Sequence, residues 1–253
     1  MKVLLPAVAL LAASLSAHAA ETLHVYGPGG PAPAMQEAAA AFGKQHGIDV
    51  QVTAGPTPKW AGDMQRDGDV VYSGSEAMMS DFLTAFNDQL LPETVRPLYL
   101  RPAGILVRPG NPRHIGGFRD LLHGTTKVMV VNGAGQVGMW EDIAGRDGDI
   151  STLSNFRSHI AVYARNSAEA VKAWKADPSI DAWIIFPIWS VSHPGLAQVV
   201  PLESRYRVYR DSGVVLTKRG DKDPQAQAFV AFLASDAGKK IFEKYGWTTT
   251  AAP

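Results

Sequence analysis

A series of short turns in this chain carries residue types suited to holding negative charge. They are Gly27-Pro28-Gly29-Gly30-Pro31, Gly55-Pro56-Thr57-Pro58-Lys59, Ser73-Gly74-Ser75, Asn132-Gly133-Ala134-Gly135-Gln136-Val137-Gly138 and Arg165-Asn166-Ser167. Such turns lie between runs of strand character and segments with helical spacing. At that place the first N–H groups of the helix have no intrahelical partner and the helix dipole is positive, so anions are what these ends hold. Glycines let a ligand approach the backbone, hydroxyls donate hydrogen bonds, and Lys59 and Arg165 add full positive charge. One turn alone is an ordinary connection, because Gly and Pro punctuate all α/β chains. The recurrence is what points to an oxyanion cradle.

Patterns for bond-breaking chemistry are missing. The sequence has no His-Glu-x-x-His, no Walker loop and no Gly-x-Ser-x-Gly elbow, and its histidines are scattered. Ser73 and Ser75 have no assignable base, so a hydrolase built on them is the weaker alternative. Gly133-x-Gly135-x-x-Gly138 has the spacing of a dinucleotide fingerprint. It lacks the acidic residue that follows a second strand about twenty residues on, and the same backbone is better read as an anion contact. With no cysteine there is no thiolate or disulfide chemistry, and no motif calls for a metal or cofactor. Trp183 reads as core, while Phe186 and Trp189 follow a strand and read as apolar walls of a cleft. Among Arg205, Arg207 and Arg210, which read mainly as a solvated face, Arg210 is the candidate for a ligand contact.

The elements that must position these residues alternate. Apolar runs at Leu23-His24-Val25-Tyr26, Ile48-Asp49-Val50-Gln51-Val52 and Asp69-Val70-Val71-Tyr72 are followed by helical spacing over residues 34–45, 61–66 and 76–86. A second set follows: strands over 104–107, 127–131, 159–163 and 182–186, and helices over 118–122, 139–144 and 168–175. The chain closes with a strand over 213–217 and helices over 224–233 and 236–245. The alternation predicts an α/β fold with a largely parallel sheet in each of two lobes.

Residues 1–20 read as a signal peptide: Met1-Lys2 is a basic start, Val3 to Leu15 an apolar run too short to span a bilayer, and Ala17-His18-Ala19 a small-x-small cleavage site. The expected product is periplasmic, cleaved near residue 19 or 20, and does not span the membrane afterwards. Lys plus Arg (24) equals Asp plus Glu (24), so no global field favours nucleic acid, and attraction for an anion must be local. A hydrophobic fraction of 46% over 253 residues is enough for real cores without covalent staples.

These turns, with Trp60, Glu76, the segment Ile105-Leu106-Val107-Arg108-Pro109-Gly110-Asn111-Pro112, Asp181-Ala182-Trp183 and the closing Gly238-Lys239-Lys240-Ile241-Phe242 through Gly246-Trp247, resemble the periplasmic substrate-binding proteins of the type II fold. Within them the chain is similar to the AcfC-like (accessory colonization factor) group, related to molybdate- and sulfate-binding proteins. The resemblance implies two lobes, 21–101 plus 212–253 and 102–211, joined by crossings at Arg101-Pro102 and Tyr209 to Asp211. It implies capture of sulfate, a sulfonate, a phosphate ester or a carboxylate between the lobes, for ABC-type transport or sensing with an inner-membrane permease. Carried over by position, first-lobe contacts would come from Gly29, Gly30, Thr57, Lys59, Ser73, Gly74 and Ser75. The second lobe would supply Gln136, Val137 and Gly138 from the Gly135 to Gly138 backbone, with Arg165, Asn166 and Ser167. Where the molybdate pattern places a tyrosine, Phe186-Pro187 stands here, and the lost hydroxyl argues against molybdate itself. A surface adhesion factor of the same fold is the alternative, and a homodimer is left open.

Overall fold

A computed structural model describes residues 22–251, and the leader expected at 1–20 lies outside them. In chain order the first elements are β1 (Thr22–Gly27), α1 (Ala32–His46), β2 (Asp49–Ala54), α2 (Ala61–Asp67), β3 (Val70–Tyr72), α3 (Glu76–Ala85) and β4 (Arg96–Pro102). The middle holds β5 (Gly104–Val107), β6 (Val128–Val131), α4 (Met139–Ala144), α5 (Ile150–His159), β7 (Ile160–Ala164), α6 (Ser167–Ala176), β8 (Ala182–Ile185), α7 (Ile188–Val191) and β9 (Gln198–Pro201). The chain ends with β10 (Tyr209–Leu216), α8 (Pro224–Leu233) and α9 (Asp236–Glu243).

Two five-stranded sheets result, in the orders β2-β1-β3-β10-β4 and β7-β6-β8-β5-β9. The expected parallel pairing occurs where β1 meets β2 and β3, and where β6 meets β7 and β8. The sheets are nevertheless mixed: β10 lies antiparallel to β3 and β4, and β5 antiparallel to β8 and β9. The cause is the double crossing. The chain leaves the first sheet along β4 and returns along β10 in the opposite direction, with Tyr209 opposite Pro102 on one rung. Between the sheets, the Ala103 N–H donates to the Val208 carbonyl at 2.8 Å, so a single pair of extended segments joins the lobes.

Local sequence accounts for the elements that flank the cleft. Helix α1 has Pro33 in its first turn, where a missing N–H costs nothing, and Gly47 stops it at φ 70°. Met35, Ala38, Ala39 and Phe42 recur on one face and are buried in the first-lobe core with Phe229 and Leu233. Ser75 caps α3 by accepting from the Met78 N–H at 3.1 Å, and Asn166 caps α6 by accepting from the Glu169 N–H at 3.0 Å. Trp183 is fully buried in the second-lobe core.

The ring of Phe42 packs edge-on against Phe229, with centroids 5.2 Å apart, and is completely buried. Phe42→Ala should destabilise the protein by about 3–5 kcal/mol, the usual cost of emptying a buried aromatic site, read as a lower midpoint in urea denaturation.

Candidate functional site

A cavity of about 110 Å³ opens between the two sheets. From the first lobe it is lined by Pro28, Gly29, Gly30 and Pro31 ahead of α1, by Gly55, Pro56 and Thr57 after β2, by Gly74 and Met78 at the start of α3, and by Arg101 of β4. The second lobe supplies Gly135 and Gln136, Asn166, Ser167 and Ala168 at the start of α6, and Phe186 and Trp189 beyond β8. The starts of α1, α3 and α6 thus border one space, where unpaired first-turn amides favour an anion. Among the described residues, Arg101 is the one formally charged member of this lining.

The setting of Arg101 is unusual for a cation. It is 5% exposed, and its Nε and Nη1 have no hydrogen-bond partner among the described residues. Nη2 donates to the Gly74 carbonyl at 3.2 Å. The guanidinium lies 3.6 Å from the centroid of the Phe186 ring and 4.5 Å from that of Trp247. Burial pushes its pKa down to about 9, with the field of Asp211 opposing the shift, so it remains cationic at neutral pH. Two glycines make room for it: a Cβ at Gly30 would stand 2.8 Å from Nη1, and one at Gly74 would stand 3.1 Å from Nη2. A buried charge normally has a hydrogen-bonded partner, because desolvating it alone is costly. A guanidinium with free N–H groups is chemically able to donate charge-assisted hydrogen bonds to an oxyanion.

The other donors are neutral. The Gly74 N–H is held only by the Met78 sulfur at 3.4 Å, a weak acceptor that an anion oxygen outcompetes. Gln136 is 4% exposed; its Nε2 donates to Ser167 Oγ at 2.9 Å, and its Oε1 has no partner among the described residues. The lobes meet tightly here, since a Cβ at Gly135 would lie 2.9 Å from the Gly74 carbonyl oxygen.

Of the residues singled out from sequence, Gly29, Gly30, Thr57, Gly74, Gln136, Asn166 and Ser167 border the cavity, whereas Lys59, Ser73, Ser75, Val137, Gly138 and Arg165 do not. Lys59 ends the short turn Thr57–Lys59 with its side chain in solvent. Arg165 has an 86% exposed side chain and forms an ion pair with Glu169 one helical turn on. The charged side chain that lines the cavity is thus that of Arg101, at the expected crossing, rather than Lys59 or Arg165. Ser73 is buried under the cleft, its hydroxyl accepting from the Gly213 N–H at 3.3 Å, and the Ser75 hydroxyl is committed to its cap. Val137 is 55% exposed, and Gly138 stands in the left-handed region at the start of α4. Arg210 donates to Asp142 of α4 rather than reaching the cavity. Phe186 and Trp189 do wall the cleft.

These features define a class: two α/β lobes on a double crossing, with a ligand-sized cavity between them, make a two-lobed solute receptor. The chain belongs to the bacterial extracellular solute-binding protein family, whose model matches residues 23–248. Among solved structures, PEB3 from Campylobacter jejuni is 33% identical over 90% of this chain and 100% of its own, with a TM-score of 0.83. The structure of PEB3 with L-phospholactate bound is 34% identical over the same shares, with a TM-score of 0.85. The periplasmic molybdate-binding protein of Azotobacter vinelandii shares the fold at 16% identity, over 90% of this chain and 100% of its own, with a TM-score of 0.66. No curated protein matches the sequence significantly.

Behind Arg101, Asp211 of β10 is 8% exposed and faces Glu76, the first residue of α3. Partial burial, then the hydrogen bond to Asp211 and its repulsion, raise the Glu76 pKa above the ordinary 4.5. A carboxyl whose pKa is raised by folding contributes its stability in full below its unfolded value and loses it as pH rises through the folded one. Glu76→Gln should therefore melt at a higher temperature than the wild type at neutral pH, with the advantage vanishing in acid below the ordinary carboxyl range, as checked by thermal melts at both pH values.

Proposed function

We propose that this protein captures a small oxyanion-bearing solute between its lobes, in the periplasm, for transport or sensing. The observation that carries the reading is Arg101, a buried cation with unpaired N–H donors beside the cavity. The anionic group sits against the Arg101 edge and the starts of α1 and α3, and Thr57, Gln136 and Ser167 orient the remainder of the solute. Met78, Phe186 and Trp189 supply apolar contact, so the ligand has a short carbon skeleton as well as charge. A phosphate ester or a sulfonate or carboxylate of a few carbons fits this chemistry, and PEB3 with L-phospholactate is a relative that holds such a compound. Sulfate fits the charge but leaves the apolar wall without contact.

Residues 1–20 serve as the export signal, and delivery goes to an inner-membrane ABC permease. Within the family we place the chain beside the AcfC-like receptors, on the turns quoted above. The lobes expected at 21–101 with 212–253 and at 102–211 are the moving bodies, their division taken at the ends of β4 and β10, and they move about the segments that meet at Ala103 and Val208.

Titration of L-phospholactate, other phosphate esters, sulfonates, short carboxylates and sulfate, followed by thermal shift and calorimetry, tests the reading. A bound compound present at a hundred times its Kd should add about 2.7 kcal/mol to the unfolding free energy. No response to any of them would overturn the proposal. Arg101→Met should weaken the best ligand by about 10- to 100-fold, the value of a charge-assisted hydrogen bond. Lys59→Ala and Arg165→Ala should each leave its affinity unchanged in the same assay.

A further inference from the structure

The guanidinium carbon of Arg101 lies over two aromatic rings that come from different lobes. Trp247 belongs to the same lobe as Arg101: it precedes Thr248, which pairs with Leu100 beside Arg101. Phe186 follows β8 of the second sheet and lies closer, at 3.6 Å. Both rings are buried, at 1% exposure for Phe186 and 2% for Trp247.

We propose that Phe186 is a positioning residue that couples anion capture to lobe closure, by supplying from the second lobe the ring that completes the stack on Arg101. The inference rests on the anion-receptor reading and adds the part that moves. A guanidinium makes its hydrogen bonds in its own plane and none through its faces. Two rings over the group exclude water where it is not needed, hold it in place, and leave the unpartnered Nε and Nη1 donors as the place where the charge is answered. With the second lobe swung away, one face of Arg101 is wet, its charge is screened, and the first lobe alone is a weak anion site. Closure brings the Phe186 ring onto that face, strengthening the guanidinium's grip on the anion and gaining a cation–π contact of its own. Binding and closure thus stabilise each other, and a ligand favours the closed form by its differential affinity for it. The position matters for the same reason: an aliphatic residue would fill the volume without offering a negative π face.

The test uses the mature protein, with L-phospholactate as probe and sulfate as a second probe. Affinity is measured by calorimetry, and closure by the fall in radius of gyration at saturating probe in small-angle X-ray scattering. Phe186→Leu should bind about 5- to 30-fold more weakly and show a smaller contraction at saturation than the wild type. Phe186→Tyr, which keeps the ring face, should restore both readings to within about twofold, on the same cation–π ground. Trp247→Leu should lower affinity yet contract fully at saturation, because its ring travels with Arg101 in either state. Should Phe186→Leu fail to fold, Phe186→Met gives the same comparison. Affinity and contraction equal to wild type in Phe186→Leu, or identical behaviour of the Phe186 and Trp247 variants, would overturn the coupling while leaving the receptor reading intact. A wild type that binds neither these probes nor any compound of the earlier titration overturns the receptor reading and the coupling with it.

Discussion

One unsatisfied charge organises the cleft. Arg101 is buried against two aromatic rings with two of its nitrogens unpartnered among the described residues. Desolvating a guanidinium without answering its charge opposes folding, and the fold tolerates this because packing elsewhere is extensive. The neighbouring features follow from it. Gly30 and Gly74 lack side chains where a Cβ would press on the guanidinium. Asp211 lies near enough to moderate the charge, and its field also reaches Glu76.

The architecture delivers that charge to a boundary between lobes. The lobes are joined by two antiparallel extended segments, and Arg101 lies at the last-but-one residue of the outgoing strand, beside the connection. A charge placed there is fixed in one body and still reached by side chains of the other, as Phe186 shows. Other contacts also join the lobes: the Gly74 and Gly135 backbones meet closely, and Arg210 pairs with Asp142 across the cleft margin. Two bodies with separate cores, joined by one pair of extended segments, are able to move relative to each other.

Much of the framework was legible because it is local. Helix α8 has the bounds 224–233 expected from its periodicity, and α1, α3 and α6 fall within a few residues of expectation. Elements with little buried surface were missed. Helix α5 has Phe156 as its one buried residue, so no apolar stripe marks it, and β9 is an edge strand with Val200 alone buried. The mixed pairing was not legible either, because strand direction depends on which strands the returning chain lies between.

For the site, the sequence by itself determined that helix starts with glycines, hydroxyls and caps lie after strands, since capping and turn chemistry act over a few residues. It also determined the absence of a global electrostatic field. Only the tertiary structure decided which cation faces the cavity. Lys59 and Arg165 lie in the right turns but turn outward to solvent and to Glu169, while Arg101, in a strand with no motif around it, is turned inward against the rings of Phe186 and Trp247, both far along the chain. Side-chain direction on a strand is set by the pleat and by what packs against each face, and that is a property of contacts distant in sequence.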